Sequence, residues 1–355
     1  MADRLFGVET EYAITGMAGG DGLDREDLVE RIMRAAQDQL VYLPDAEGNG
    51  IYLQNGARFY VDCGLHPEIS TPECTNPWDI VRYIQAGELI LSAIVSRLQS
   101  QFIDGSEVMC FICNVDYGGR TYGCHESYLH RADPEQLHHQ IIPHLVSRVI
   151  YTGAGGFHPA AGGLEFTLSP RVAYIVRVIS PNSTQERGIV HTKDESLSSR
   201  GYHRLHLLCG ESLCSELATW LKLGTTALVV AMVEAGLDPG SRVLLESPLE
   251  ALQTVAADPG CQALLTLADG RRLSAIQIQR HYLAAAEHHV SDGYMPSWAR
   301  EVCDRWREML DFLEHDPETV CTRLDWAMKL PLYTDHAGRR GVAWGMLASW
   351  NDVLH

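Results

Sequence analysis

Polar and apolar positions alternate at the start of the chain. In "FGVETEYAIT", residues 6–15, Phe6, Val8, Thr10, Tyr12 and Ile14 share one face of a period-two pattern, and Gly7, Glu9, Glu11 and Ala13 share the other. An edge strand with a solvated outer face would look the same, so the two glutamates gain meaning only from companions elsewhere. "ARFYVDCG" repeats the pattern, with Phe59, Val61 and Cys63 opposite Arg58, Tyr60 and Asp62. In "GYHRLHLLCG", Leu205, Leu207 and Cys209 oppose Arg204, His206 and Leu208. Further strand-like runs cover 107–115, 120–129 and 171–179, and that of "GYHRLHLLCG" covers 201–209.

Elsewhere the period lengthens to that of a helix. Residues 24–40 align Leu28, Ile32, Ala35 and Ala36 behind an Asp24 N-cap. A second helix starts at Asn76 as cap with Pro77 first inside it, and buries Ile80, Ile84, Leu91, Ile94 and Leu98. From about residue 211 the chain reads as helices, broken near "AGLDPG", "AADPG", "SDGYMPS" and "EHDPET". Strands first and helices afterwards predict an α+β fold: an antiparallel sheet covered by helices on one face, in a single large domain over 1–355 that is strand-rich to 210 and helix-rich beyond.

Composition narrows the function. Apolar and charged fractions of 46% and 21% are those of an ordinary globular protein. A formal charge of -18 leaves no footprint for phosphate-backbone or anionic-membrane binding. The N-terminus lacks a basic, then apolar leader, and the run "TTALVVAMVEAG" is too short to span a bilayer, so a cytoplasmic protein is expected. Ten scattered cysteines suit reduced thiols. "CFIC", Cys110 to Cys113, reads as a core strand, since a zinc site needs two further ligands at recognisable spacing. His138 and His139 read as the polar face of a helix, and no base is spaced to activate Cys124 beside His125. "TGAGGFHPAAGG" lacks the G-x-x-x-x-G-K-[ST] pattern and reads as a flexible loop bordering a site.

If the three polar-faced strands are neighbours, they gather Glu9, Glu11, Asp62, Arg204 and His206, and "GLHPEIST" adds Glu68 just past the second strand. Crowded carboxylates repel unless a hard dication sits among them, and oxygen-rich sites suit Mg²⁺. Magnesium with few protein ligands usually completes its shell with nucleotide phosphates, whose charge Arg204 would neutralise.

Seven collinear stretches, "FGVETEYAIT", "NGARFYVDCGLHPEISTPEC", "YGCHESYL", "YTGAG", "HTKDES", "YHRLHLLCGESLCSELATWLKLGTTALV" and "DWAMKL", resemble the motifs of the Pup ligase and depupylase family (PafA and Dop) as far as about residue 330. The resemblance implies a glutamine synthetase-like fold, in which a curved antiparallel sheet cradles ATP and Mg²⁺. It implies metal ligation by Glu9, Glu68 and His206, with Glu11 in the same first-strand motif. It implies catalysis by Asp62, phosphate binding by Arg204, Arg171 and Arg187, and adenine packing by Trp326. "YGCHESYL" carries Ser127 where the family pattern has asparagine. The long depupylase loop is absent before "NGARFYVD", which aligns the chain with the ligase branch, and a chain without the family's small C-terminal domain after "DWAMKL" is expected.

The chemistry expected is activation of a carboxylate by phosphoryl transfer, then attack by an amine that Asp62 deprotonates. The acid would be a small molecule, or the C-terminus or a side chain of a small protein modifier. An amide hydrolase using bound nucleotide and a catalytically idle nucleotide-binding regulator remain the alternatives.

Overall fold

The computed structural model describes residues 4–18, 21–46, 48–102, 106–116, 118–159, 164–192 and 201–341. Nine strands form the main sheet: β1 (Phe6–Glu11), β2 (Tyr42–Pro44), β3 (Gly50–Leu53), β4 (Arg58–Val61), β5 (Pro67–Ser70), β6 (Cys124–His130), β7 (Arg177–Ser180), β8 (Gly188–His191) and β9 (His203–Leu207). Their spatial order is β7-β8-β9-β6-β1-β5-β4-β3-β2. Every pair is antiparallel except β7 with β8. The longer helices are α1 (Arg25–Gln39), α2 (Pro77–Gln99), α3 (Pro134–Ser147), α4 (Glu216–Glu234), α5 (Ala275–His289), α6 (Ala299–His315) and α7 (Asp325–Arg339). The expected α+β architecture is the one observed.

Local chemistry sets the helix starts. The Asp24 carboxylate accepts from the Asp27 amide at 3.1 Å, and the Asn76 side chain accepts from the Trp78 amide at 2.8 Å, each satisfying one orphan N–H. Leu28, Ile32, Ala35 and Ala36 of α1 are buried, as their spacing requires. On α2, Ile80 lies in one apolar cluster, and Leu91, Ile94 and Leu98 lie in a second. This helix therefore underlies both halves of the sheet, meeting Phe6 and Val8 in the first cluster and Phe59 and Ile69 in the second. α4 is apolar around its whole circumference, and by length and composition it could cross a membrane. Nearly all of it is enclosed in the fold, as the central helix of the core.

Several boundaries differ from the sequence reading. The run 6–15 divides at Tyr12, whose N–H donates to the Pro67 carbonyl. Beyond it Ala13–Ala18 joins a separate three-stranded sheet with Asp21–Gly22 and Glu107–Phe111. The expected strand over 171–179 opens instead as a 3-10 turn, Pro170–Tyr174, because proline fixes φ and offers no ladder donor; the strand itself is β7. The runs 107–115, 120–129 and 201–209 shorten or shift to 107–111, 124–130 and 203–207. His138 is buried rather than on the polar face of α3, while His139 is exposed. Cys110 lies on the small sheet and Cys113 just past it, both half-buried and free. Among the described residues no cysteine joins a possible metal-ligand cluster. Of "TGAGGFHPAAGG", residues 160–163 lie outside the described residues, as do residues 193–196 of "HTKDES".

Candidate active site

Register assembles the site. In β1, Phe6 and Val8 face the helices, so Glu9 and Glu11 face away from them. Across the ladder Glu11 sits opposite Glu68 of β5, and Glu9 opposite His125 of β6. Ser127 of β6 pairs with His206 of β9, and His206 with His191 of β8. A one-residue slip of any of these strands would send its polar set into the core and its core set outward, so the hydrophobic face fixes the polar one. The close approach also needs glycine at 123. A Cβ there would lie 2.3 Å from His125 Nε2 and 2.8 Å from Glu11 Oε1.

The side chains converge in three sets whose donor atoms lie within 4.8 Å of one another: Glu9, His125 and His206; Glu11, Glu68 and His125; and Glu11, Asp62 and His66. Five of the predicted residues therefore meet on one surface, joined by two histidines, His125 and His66, that the sequence reading had not assigned. Period-two alternation would have exposed His125, which lies on the opposite face from the buried Cys124 and Glu126. His66 carries no such signal, because its place depends on the turn after β4.

That turn is held by Asp62. Its Oδ1 accepts from the backbone N–H of Gly64 at 2.9 Å and of His66 at 2.6 Å. Leu65 inside the turn adopts φ of 59°, a left-handed conformation that a branched residue keeps only when its surroundings enforce it. Arg25 of α1 adds a hydrogen bond to the Leu65 carbonyl at 3.2 Å. His66 Nδ1 then lies 3.1 Å from Asp62 Oδ2 and 3.0 Å from Glu11 Oε2, one ring nitrogen between two carboxylates.

Arg204 spans the other flank. Its Nε donates to Ser127 Oγ at 3.0 Å, and its Nη2 reaches Glu9 Oε1 at 3.1 Å and His206 Nδ1 at 2.8 Å. Ser127, the departure from the family pattern, thus accepts from the arginine and lies 3.2 Å from His206 Nδ1.

The electrostatics are uneven. Burial works to raise the Glu9 carboxyl, but the hydrogen bond from His125 and the charge of Arg204 more than offset it and bring it to about 2. Glu11 is likewise brought to about 2, against its burial, by the hydrogen bond from His66 and by the charge of Arg171. Glu68, by contrast, is pushed well above the usual range by burial and then by Glu9 and Glu11. Burial and the neighbouring Arg204 push His206 well below the ordinary imidazole range. Burial works to lower His66, and its two carboxylate partners overcome that and raise it.

Arg171 and Arg187 stand near the Glu11 end. Arg171 is buried, with Nη1 donating to the Tyr122 carbonyl at 2.6 Å and Nη2 to that of Leu208 at 3.1 Å, while its Nε has no partner among the described residues. Arg187 is half-buried and donates to Ser183 O at 3.0 Å; burial and the like charge of Arg171 lower its pKa. Trp326 occupies the helical core rather than the carboxylate surface, with its indole N–H on the Ile150 carbonyl at 2.9 Å.

Three carboxylates, two neutral-capable imidazoles and flanking guanidinium groups suit a hard dication carrying phosphates. The raised Glu68 marks a negative charge that the protein leaves unmatched.

The chain resembles known proteins over nearly its whole length. The family described as Pup-ligase protein matches residues 4–350. A depupylase from Acidothermus cellulolyticus is 39% identical over 302 residues, covering 83% of this chain and 59% of its own length. A Pup--protein ligase from Sanguibacter keddieii is 35% identical, covering 92% of this chain and 72% of the relative. The solved complex between the prokaryotic ubiquitin-like protein Pup and its ligase PafA aligns with a TM-score of 0.84 at 28% identity, over 97% of this chain and 71% of that one. A PafA structure in complex with ADP aligns with a TM-score of 0.74, also at 28% identity, over 93% of this chain and 72% of that one.

Proposed function

This chain belongs to the Pup-ligase family, and on that premise we propose that it is an ATP- and Mg²⁺-dependent carboxylate-amine ligase. It activates a carboxyl group of a Pup-like protein modifier as an acyl phosphate and joins it to a lysine amine of a second protein, in the cytoplasm. The observation that carries the reading is the convergence of Glu9, Glu11 and Glu68 with Arg204 on one sheet face.

Glu9, Glu11, Glu68, His125 and His206 are the residues that would hold the cation. A bound Mg²⁺ supplies Lewis-acid neutralisation of phosphate charge. Arg204, Arg171 and Arg187 would carry the phosphates of ATP, whose γ-phosphoryl group converts the basic oxide of a carboxylate into a competent leaving group. Adenine packing against Trp326 would need a purine site beside the helical core, where the Trp326 indole N–H is already satisfied. An incoming lysine is mostly ammonium at neutral pH and must lose a proton. Asp62 accepts that proton as the C–N bond forms, and His66, bonded to the Asp62 and Glu11 carboxylates, keeps the Asp62 carboxylate oriented.

Asp62→Asn tests the assignment: ligation should fall about 10²- to 10⁴-fold while ATP still binds. Unchanged ligation in that variant would remove Asp62 from the mechanism. A second reading, hydrolysis of the same bond by an Asp62-directed water, draws on the depupylase relative. Cleavage of a preformed conjugate without stoichiometric ATP consumption would favour it.

A further inference from the structure

Only three of the 28 basic residues are lysines: Lys193, Lys222 and Lys329. Lysine is ordinarily among the commonest residues, so this chain has placed arginine almost everywhere a cation is used. The two are not equivalent towards an activated acyl group. A guanidinium does not deprotonate in a protein and its electron pair is delocalised, whereas an accessible ammonium yields a nucleophilic amine when a base takes its proton.

The structure sharpens the asymmetry. Fifteen arginines are exposed among the described residues, and no lysine is. The exposed arginines include Arg34, Arg82 and Arg339, paired with Glu30, Asp79 and Asp335 at 2.8, 2.7 and 2.8 Å. Lysine would serve such pairs equally well, since each is a single contact on a helix surface. Lys222, by contrast, is 1% exposed on α4, its Nζ donating to the Glu211 carbonyl at 2.8 Å and to Cys124 Sγ at 3.3 Å beneath the sheet. Lys329 on α7 is half-buried and donates to the Ala154 carbonyl at 2.7 Å. Lysine is kept where a compact ammonium meets buried acceptors and is absent from the exposed described surface. Lys193 lies outside the described residues.

We propose that the chain spares itself from its own reaction by presenting arginine in place of acceptor amines on its surface. This rests on the ligase reading above. In the reaction avoided, a lysine Nζ of one copy would bond to the carbonyl carbon of the acyl phosphate. The C–O bond to phosphorus would break, inorganic phosphate would leave, and the proton of the ammonium would pass to Asp62, with ATP already converted to ADP. Lys222 could enter that reaction only by giving up both acceptors and opening the core. Lys329 would have to release the Ala154 carbonyl.

Two measurements on the full chain test this. Amine acylation by an N-hydroxysuccinimide ester, read by mass spectrometry, should label Lys222 and Lys329 roughly ten-fold or more slowly in the native protein than in urea. Native labelling as fast as denatured would overturn the proposal without reference to activity. Incubation with ATP, Mg²⁺, Pup and a lysine-rich bystander protein should conjugate the bystander and leave Lys222 and Lys329 unmodified. The Arg34→Lys, Arg82→Lys, Arg339→Lys triple variant should keep bystander activity and acquire self-conjugates at those three positions. Equal self-conjugation of the unsubstituted chain and the variant, with the bystander modified, sinks self-sparing alone. A bystander left unmodified in every arm sinks the ligase reading, and this proposal with it, whatever the acylation rates.

Discussion

Glu126 and Glu68 are both buried glutamates of the main sheet, on opposite faces, and they live in opposite electrostatic worlds. Glu126 of β6 has no exposed surface, and Arg148 and Tyr128 donate to both its oxygens. Arg148 holds it with two N–H groups at 2.6 and 2.9 Å, and Tyr128 Oη adds a third bond at 2.6 Å. Arg148 in turn donates to Thr226 Oγ1 and the Lys222 carbonyl. Burial works against its ionisation, but Arg148 and Lys222 prevail and its pKa is lowered. Glu68 of β5 is nearly as buried, yet burial and the like charges of Glu9 and Glu11 raise its pKa well above normal. A carboxylate with all its partners supplied from within is architecture. One crowded by its own sign is a vacancy for a cation brought from outside.

The contrast breaks most visibly on the helix side. Arg148→Met strands the Glu126 charge in the core and should destabilise the protein by about 3–5 kcal/mol, read as a lowered urea midpoint. A loss under 1 kcal/mol would mean that Glu126 finds water or another donor. On the site side, Mg²⁺ with ATP at a hundred-fold excess over its dissociation constant should stabilise the unsubstituted protein by about 2.7 kcal/mol. Glu9→Ala should abolish that increment and also lower the ligand-free stability, because Arg204 and His125 hold the Glu9 carboxylate in the folded protein. Retention of the full increment would take Glu9 out of the cation site.

The smallest effect is also the sharpest. Glu68→Gln removes a repelling charge, so in the absence of cation it should stabilise by about 1 kcal/mol while weakening the Mg²⁺ response. The pH dependence carries the signs. A carboxyl lowered by folding, as in Glu126, Glu9 and Glu11, contributes stability above its unfolded pKa and loses it as pH falls through the folded value, about 2 for the last two. Glu68, raised by folding, contributes below its unfolded pKa and loses that contribution as pH rises through its folded value. The Glu68 contribution to cation-free stability should therefore grow as pH drops from neutrality into the mildly acid range, while the buried histidines His130, His144 and His206, lowered by folding, lose stability over the same range. Glu68→Gln should remove its own contribution and leave the histidine and Glu9 losses in place; a stability difference between variant and parent that does not change with pH would place the effect elsewhere.

Much of this was legible in the sequence. The alternation in residues 6–11 and 203–207 placed Glu9, Glu11, Arg204 and His206 on outward faces, since strand side chains alternate by steric necessity. The caps at Asp24 and Asn76 were legible because their partners lie two or three residues away. His66 was not, because its place follows from a turn tied by Asp62 and from a left-handed Leu65 that no local signal announces. Nor was the division at Tyr12, which depends on the Pro67 carbonyl distant in sequence. By itself, then, the sequence determined which residues point together along each strand and which elements cap and end, for those are matters of neighbouring backbone geometry. Only the tertiary structure decided which strands lie side by side, and so which glutamate meets an arginine and which meets its own kind. Cross-strand distance and burial set those charges, and neither is a property of a segment alone.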